Sequence, residues 1–201
     1  MKTGVALVGY GYWGKKVFRY LIENPEIDTR LVCFRSFDPK TFKFDSGFPS
    51  VCALTSSFDE VLRDPKVEMV FLATPVNTHF ELTKKALLAG KHVMVEKPLS
   101  ESTEECEELE ELARSKKLRV LTDYTYTFSG ALRKAVTDVE AGKIGRIERI
   151  EISIHQLGRF NAFDVFTLLG SHTLSMLDMF VPLKTLEFVG RPLLWNETSA
   201  A

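Results

Sequence analysis

Cysteine is scarce in this chain and odd in number. Cys33, Cys52 and Cys106 stand far apart, a pattern that excludes both a disulfide framework and a CxxC metal site. No metal is expected, and the protein reads as reduced and intracellular. An excess of one charge is also lacking, since 26 Lys+Arg face 27 Asp+Glu for a formal net charge of -1. There is no positive field to draw a polyanion, so nucleic acid is not expected as a partner. Long hydrophobic runs are missing too. The longest candidate, residues 163–181, is broken by Asp164, His172 and Asp178, short of the ~20 apolar residues a membrane helix needs. Nor does a secretory apolar region precede Gly4-Val5-Ala6-Leu7-Val8-Gly9. A cytoplasmic protein with no membrane partner is the expectation. Repeats and low-complexity tracts are absent, while 45% hydrophobic residues exclude disorder and a fibrous assembly.

What is present is an alternation of short apolar runs with amphipathic stretches, the signature of parallel strands covered by crossover helices. Strands are predicted at residues 4–8, 30–34, 51–54, 67–73, 92–95 and 118–122. Val17, Phe18, Leu21 and Ile22 share one helix face before Asn24-Pro25 stops it. Ser57 with Glu60, Thr78 with Glu81 and Ser102 with Glu105 have the spacing of capping boxes. Gly90 suits a helix C-terminus. The acidic run 101–111 is followed by Arg114, Lys116 and Lys117, which complements a helix dipole and reads as a solvated helix face. Residues 36–50 read as a loop, and whether a short helix survives inside is open.

The regime changes near Asp123. Before it the pattern is α/β; after it come a helix from Ser129 to Gly142, a half-buried strand at Ile150, Ile152 and Ile154, a helix over 166–180 and a strand over 185–189. The fold class is therefore α/β. A Rossmann-type doubly wound parallel sheet is expected over 1–122, followed by an incomplete α/β domain over 123–201.

Gly9-Tyr10-Gly11-Tyr12-Trp13-Gly14 is a GxGxxG after a strand and before a helix, the context the motif requires. Gly9 would make the tight turn, Gly11 would admit a pyrophosphate and Gly14 would let helix and strand approach. The cofactor-binding candidates in this loop are Gly9, Gly11, Tyr12, Trp13 and Gly14. At the end of the second strand, Arg35 and Ser36 occupy the place where a carboxylate binds the NAD ribose. That pair favours NADP, with Asp38 as the residue that could make the site NAD-preferring. Thr74, Pro75 and Asn77, in Ala73-Thr74-Pro75-Val76-Asn77-Thr78-His79, follow the fourth strand and are further cofactor contacts. His79 reads as a surface residue of the first helical turn. Glu96 and Lys97, in Glu96-Lys97-Pro98, end the fifth strand; a lysine held there can donate to a substrate oxygen as charge develops.

In that order, GxGxxG, ATPVNTH, EKP and then Ala141 to Gly145 (AGKIG) resemble the Gfo/Idh/MocA family of glucose-fructose oxidoreductases and inositol dehydrogenases. The stretch from Tyr124 through His172 is most similar to sugar dehydrogenases of surface-polysaccharide and nucleotide-sugar pathways. The resemblance implies a Rossmann domain, an α/β second domain whose open sheet commonly forms a dimer interface, and an NAD or NADP cofactor. It places His172 as the general base beside a catalytic Lys97, and a sugar or nucleotide sugar as the substrate.

Two departures stand out. Leu168 occupies the position of the family's aspartate four residues before His172, with Asp164 one turn earlier. The stretch after Asp123 is also short for the family's second domain, as a shortened paralogue or a fragment would be. Two functions follow: an NAD(P)-dependent oxidoreductase, or a dinucleotide-binding protein of the same fold whose chemistry is lost. A cofactor-assisted lyase or hydrolase is a third. Self-association is expected in each case, because an unfinished sheet leaves strand edges and an apolar face to cover.

Overall fold

The computed structural model describes residues 2–35, 42, 52–154, 169–187 and 189. Its chain divides into two compact units, Met1–Tyr124 and Thr125–Ala201.

In the first unit, β1 (Thr3–Val8) is buried from its second residue onward. That continuous apolar run is what a strand covered on both faces requires. Its side chains alternate between two cores. Val5 and Leu7 join Phe18, Leu21, Val32 and Phe71, while Ala6 and Val8 join Leu31, Val70, Leu72, Val93, Val95 and Leu109. Around β1 lie β2 (Ile27–Cys33), β3 (Ala53–Thr55), β4 (Met69–Leu72), β5 (His92–Glu96) and β6 (Val120–Asp123). All pairings are parallel, in the order β3-β2-β1-β4-β5-β6. The strand order reverses between β1 and β4. In such sheets that switch opens a crevice at the C-terminal ends of the strands, where ligands bind.

The covering helices are α1 (Tyr12–Glu23), α2 (Phe58–Arg63), α3 (His79–Leu88) and α4 (Thr103–Ser115). Gly90, at φ +79°, ends α3: its N–H donates to Leu87 O (3.0 Å) and the N–H of Lys91 donates to Ala86 O (2.9 Å). This is a Schellman closure. Of the three expected capping boxes, the structure shows the cap of one. Ser102 accepts from the N–H of Glu105, whereas Ser57 and Thr78 make no side-chain cap. Thr55 displaces the Ser57 box, because its hydroxyl accepts from the N–H of Ser57 and donates to Glu60 Oε2. The hydroxyl of Thr78 turns back to Thr74 Oγ1 (2.8 Å) and Pro75 O (2.6 Å) instead. The acidic run lies on the surface of α4, with Glu108 paired to Lys84 and Glu111 to Arg114. Among the described residues no His/Cys/Asp/Glu group could hold a metal, and no helix is long and apolar enough to cross a membrane.

The second unit contains α5 (Gly130–Glu140) and α6 (Ser171–Asp178). The expected strand around Ile150–Ile154 is not formed. Its period-2 burial is present, with the isoleucines half-buried and Glu151 and Ser153 exposed, but no ladder is assigned there. The alternation reports which face is turned away from solvent, without requiring a ladder. Leu132 of α5 with Met176 and Phe180 lines an open depression with Ile150, Ile152 and Ile154. Likewise the strand expected over 185–189 is replaced by a 3-10 turn, Leu183–Thr185, with no strand at Leu186, Glu187 or Val189. The helix expected over 166–180 is seen as α6, and residues 166–168 lie outside the described residues.

Candidate active site

The three motif glycines meet three different environments. Gly9 turns the chain out of β1 at φ +98°, and its N–H donates to Cys33 O at 2.8 Å. A Cβ there would lie 2.3 Å from Ala73 O, and one on Gly14 would lie 2.0 Å from Gly9 O. The protein's own backbone therefore forbids side chains at both positions. Gly11 is different, since an added Cβ would meet nothing within 4 Å and its φ is an ordinary -81°. Neither packing nor strain requires glycine at this point. Gly11 stands at the N-terminus of α1, where free N–H groups favour phosphate.

Around this loop, Tyr10 packs among Phe18, Phe34 and Phe42 with ring centroids 5.5 to 5.7 Å apart. Tyr12 and Trp13 stand at the surface, and the Lys16 ammonium lies 4.3 and 4.4 Å from their ring centroids. Arg35 is exposed just past β2. Ser36 and Asp38 lie outside the described residues.

Past β4, Thr74 is half-buried and Pro75 and Asn77 are exposed. His79 departs from the expectation of a surface residue, being 1% exposed. Its Nδ1 lies 2.7 Å from Pro98 O and its Nε2 2.8 Å from Thr74 O. No spacing rule signals this role, because both partners are main-chain oxygens.

Glu96 ends β5 in register with Asp123 of β6. Burial first, and then the neighbouring Asp123 carboxylate, push the Glu96 carboxyl up to about 7 against the opposing pull of Lys97. Burial likewise lowers the Lys97 ammonium, against the attraction of Glu96. In both groups desolvation of the charged form wins. The result is an acid and an amine, adjacent in sequence at the ligand edge of the sheet, each biased towards its neutral form. The glycine loop, Thr74, Pro75, Asn77, Glu96 and Lys97 thus all lie at or just past the C-terminal ends of β1, β4 and β5.

His172 belongs to the second unit, as the second residue of α6. Its ring stands edge-on to Tyr126, with centroids 5.1 Å apart and planes at 83°. Leu168 and Asp164 lie outside the described residues.

Residues 3–124 match the model of the oxidoreductase family with an NAD-binding Rossmann fold, Gfo/Idh/MocA. The uncharacterised oxidoreductase YhhX of Escherichia coli K12 is 42% identical over 97 residues, covering 48% of this chain and 28% of that relative. A dTDP-3,4-didehydro-2,6-dideoxy-alpha-D-glucose 3-reductase of Streptomyces violaceoruber is 33% identical over 102 residues, covering 51% of this chain and 30% of the reductase. Among solved structures, a Klebsiella pneumoniae protein assigned as an oxidoreductase superposes with a TM-score of 0.74 at 26% identity, covering 90% of this chain and 51% of that one. The matched segments therefore span about a third of those curated relatives and about half of that solved structure.

Proposed function

The chain belongs to the Gfo/Idh/MocA oxidoreductase family, and from that premise we propose that it carries an NAD(P)-dependent dehydrogenase site for the hydroxyl of a sugar or nucleotide sugar. The observation that carries this reading is the open space at Gly11, flanked by two glycines that the backbone itself demands. A cradle that a Cβ would fill, at a helix N-terminus on the switch edge of a parallel sheet, fits a pyrophosphate. The reductase of Streptomyces violaceoruber, named for a dTDP-sugar, supports the substrate class.

When bound, the nicotinamide supplies the hydride acceptor or donor. The chain's residues do the rest. Gly9, Gly11, Tyr12, Trp13 and Gly14 receive the dinucleotide, with Thr74, Pro75, Asn77 and Glu96 along the same edge. Arg35 supports a preference for NADP, because a guanidinium can pair with a 2'-phosphate where an NAD site would place a carboxylate. Lys97 polarises the substrate oxygen by donating a hydrogen bond to it as charge develops there. His172 accepts the hydroxyl proton at a ring nitrogen. The protein works in the cytoplasm as a homo-oligomer, with a Rossmann domain over 1–122 and a substrate and dimerisation domain over 123–201.

One observation favours a second reading, a dinucleotide-binding protein without turnover. Leu168 stands where the family's aspartate would orient His172, and leucine can neither fix a tautomer nor stabilise an imidazolium. A panel of polyols, sugars and nucleotide sugars, assayed for reduction of NADP and NAD, separates the two. Turnover abolished by Lys97→Ala and by His172→Ala is expected. Turnover that survives loss of either residue overturns its catalytic role; cofactor binding without any turnover supports the second reading.

A further inference from the structure

We propose that His79 is a positioning residue, whose imidazole ties the loop after β4 to the loop after β5 and so sets Lys97 in place on the ligand edge. The inference rests on the reading of that edge as the dinucleotide and substrate site.

β4 and β5 pair in parallel register up to Leu72 with Val95. Beyond that point the strands part into the two loops that carry Thr74 on one side and Lys97-Pro98 on the other. His79 is placed to cross the gap. As the first residue of α3 it is fixed by the helix, and at 1% exposure it is closed to solvent. Its two ring nitrogens lie 2.7 Å from Pro98 O and 2.8 Å from Thr74 O. Carbonyl oxygens only accept, so the proton in each contact comes from the ring: one N–H in a neutral imidazole, two in an imidazolium. The Pro98 carbonyl directly follows the Lys97 residue, so a shift at that contact is transmitted to the lysine backbone. Thr78 reinforces the other end, because its hydroxyl reaches Thr74 Oγ1 and Pro75 O.

A purely structural role makes a different prediction from a positioning role, and two conservative replacements tell them apart. The amide nitrogen of asparagine falls near the place of Nδ1, and that of glutamine near the place of Nε2. His79→Asn therefore keeps the tether to Pro98 and loses the one to Thr74, while His79→Gln does the reverse. The experiment uses the full chain and takes the parent, both of these variants and His79→Ala. Folding is checked by circular dichroism. The pH profile of Lys97 acylation by an acetylating reagent is read by peptide mass spectrometry, and NAD and NADP affinities are measured by calorimetry. The midpoint for Lys97 is expected to stay at the parental value in His79→Asn and to move up towards ordinary lysine in His79→Gln and His79→Ala, as the amine leaves its buried place. Cofactor affinity should fall about tenfold in the last two, in keeping with the sensitivity of bound geometry to small misplacement. If His79→Ala does not fold, the Asn and Gln pair decides. An unmoved Lys97 profile in folded His79→Gln, or equal shifts in the Asn and Gln variants, overturns the proposal. A folded parent that binds neither dinucleotide overturns the cofactor reading instead, and the Lys97 profile still judges the tether.

Discussion

Replacing each motif glycine by alanine makes the sharpest use of this geometry. At Gly14 the new Cβ would sit 2.0 Å from Gly9 O and 2.8 Å from Gly9 C. Relief requires more than 1 Å of movement between β1 and α1, about the limit of what a packed interior accepts, and overpacking of this kind typically costs roughly 1–3 kcal/mol. Gly14→Ala belongs at the upper end, because the neighbour is backbone and cannot rotate away. Gly9→Ala meets Ala73 O at 2.3 Å and also carries φ +98°; the left-handed conformation adds about 1–2 kcal/mol for an L side chain. Gly11→Ala meets nothing within 4 Å. Restricting the unfolded chain contributes roughly 0.4–1 kcal/mol in its favour, and alanine at the helix N-cap position costs about as much. The two effects nearly cancel. Urea unfolding should thus leave Gly11→Ala within about 0.5 kcal/mol of the parent while both others lose at least about 2 kcal/mol. A Gly11→Ala loss matching that of Gly14→Ala, or a Gly14→Ala variant as stable as the parent, would refute the claim that only Gly11 is reserved for a ligand.

Other consequences are independent of the cofactor. Lys91 is buried, with its ammonium donating to Asp64 O (2.8 Å) and Val67 O (2.7 Å); Lys91→Met strands the Val67 carbonyl, while Asp64 O keeps the N–H of Val67, and should cost about 1–3 kcal/mol in denaturant titrations. Ser102→Ala removes a cap that α4 uses and should cost about 0.5–2 kcal/mol. Ser57→Ala, where no side-chain cap exists, should cost little in the same assay. Glu96 has a folded-state pKa of about 7, raised from 4.5, so its ionisation opposes folding. Its contribution worsens as pH rises from about 4.5 through about 7 and vanishes below both values. Stability measured at about pH 5 and about pH 8 should fall less over that interval in Glu96→Gln than in the parent; an unchanged difference would contradict the burial of that carboxyl.

The sheet was legible because its strands are buried on both faces and therefore announce themselves as apolar runs between helix signals. Boundaries moved where propensity and pairing disagree: β2 begins at Ile27 rather than Arg30, since β1 offers partners from Thr3 onward. Capping boxes were overestimated because a four-residue pattern ignores competitors, and Thr55 and Thr74 were those competitors. In the second unit, alternation at Ile150, Ile152 and Ile154 identified the covered face correctly. It was silent on whether the segment finds a strand partner, and no ladder is formed there. The placement of the glycine loop after β1 and of Glu96-Lys97 at the end of β5 was readable because it follows from residue type and spacing. The place of His79 was not, because its partners are carbonyls that every residue possesses.

The central claim is that this chain binds a dinucleotide through the backbone opening at Gly11. Calorimetric titration of NADP and NAD into the parent and into Gly11→Val tests it most directly. A single site on the folded parent, tighter for NADP and lost in an equally folded Gly11→Val, is the predicted result. A folded parent that takes up neither dinucleotide, or a Gly11→Val variant that binds as the parent does, would contradict it.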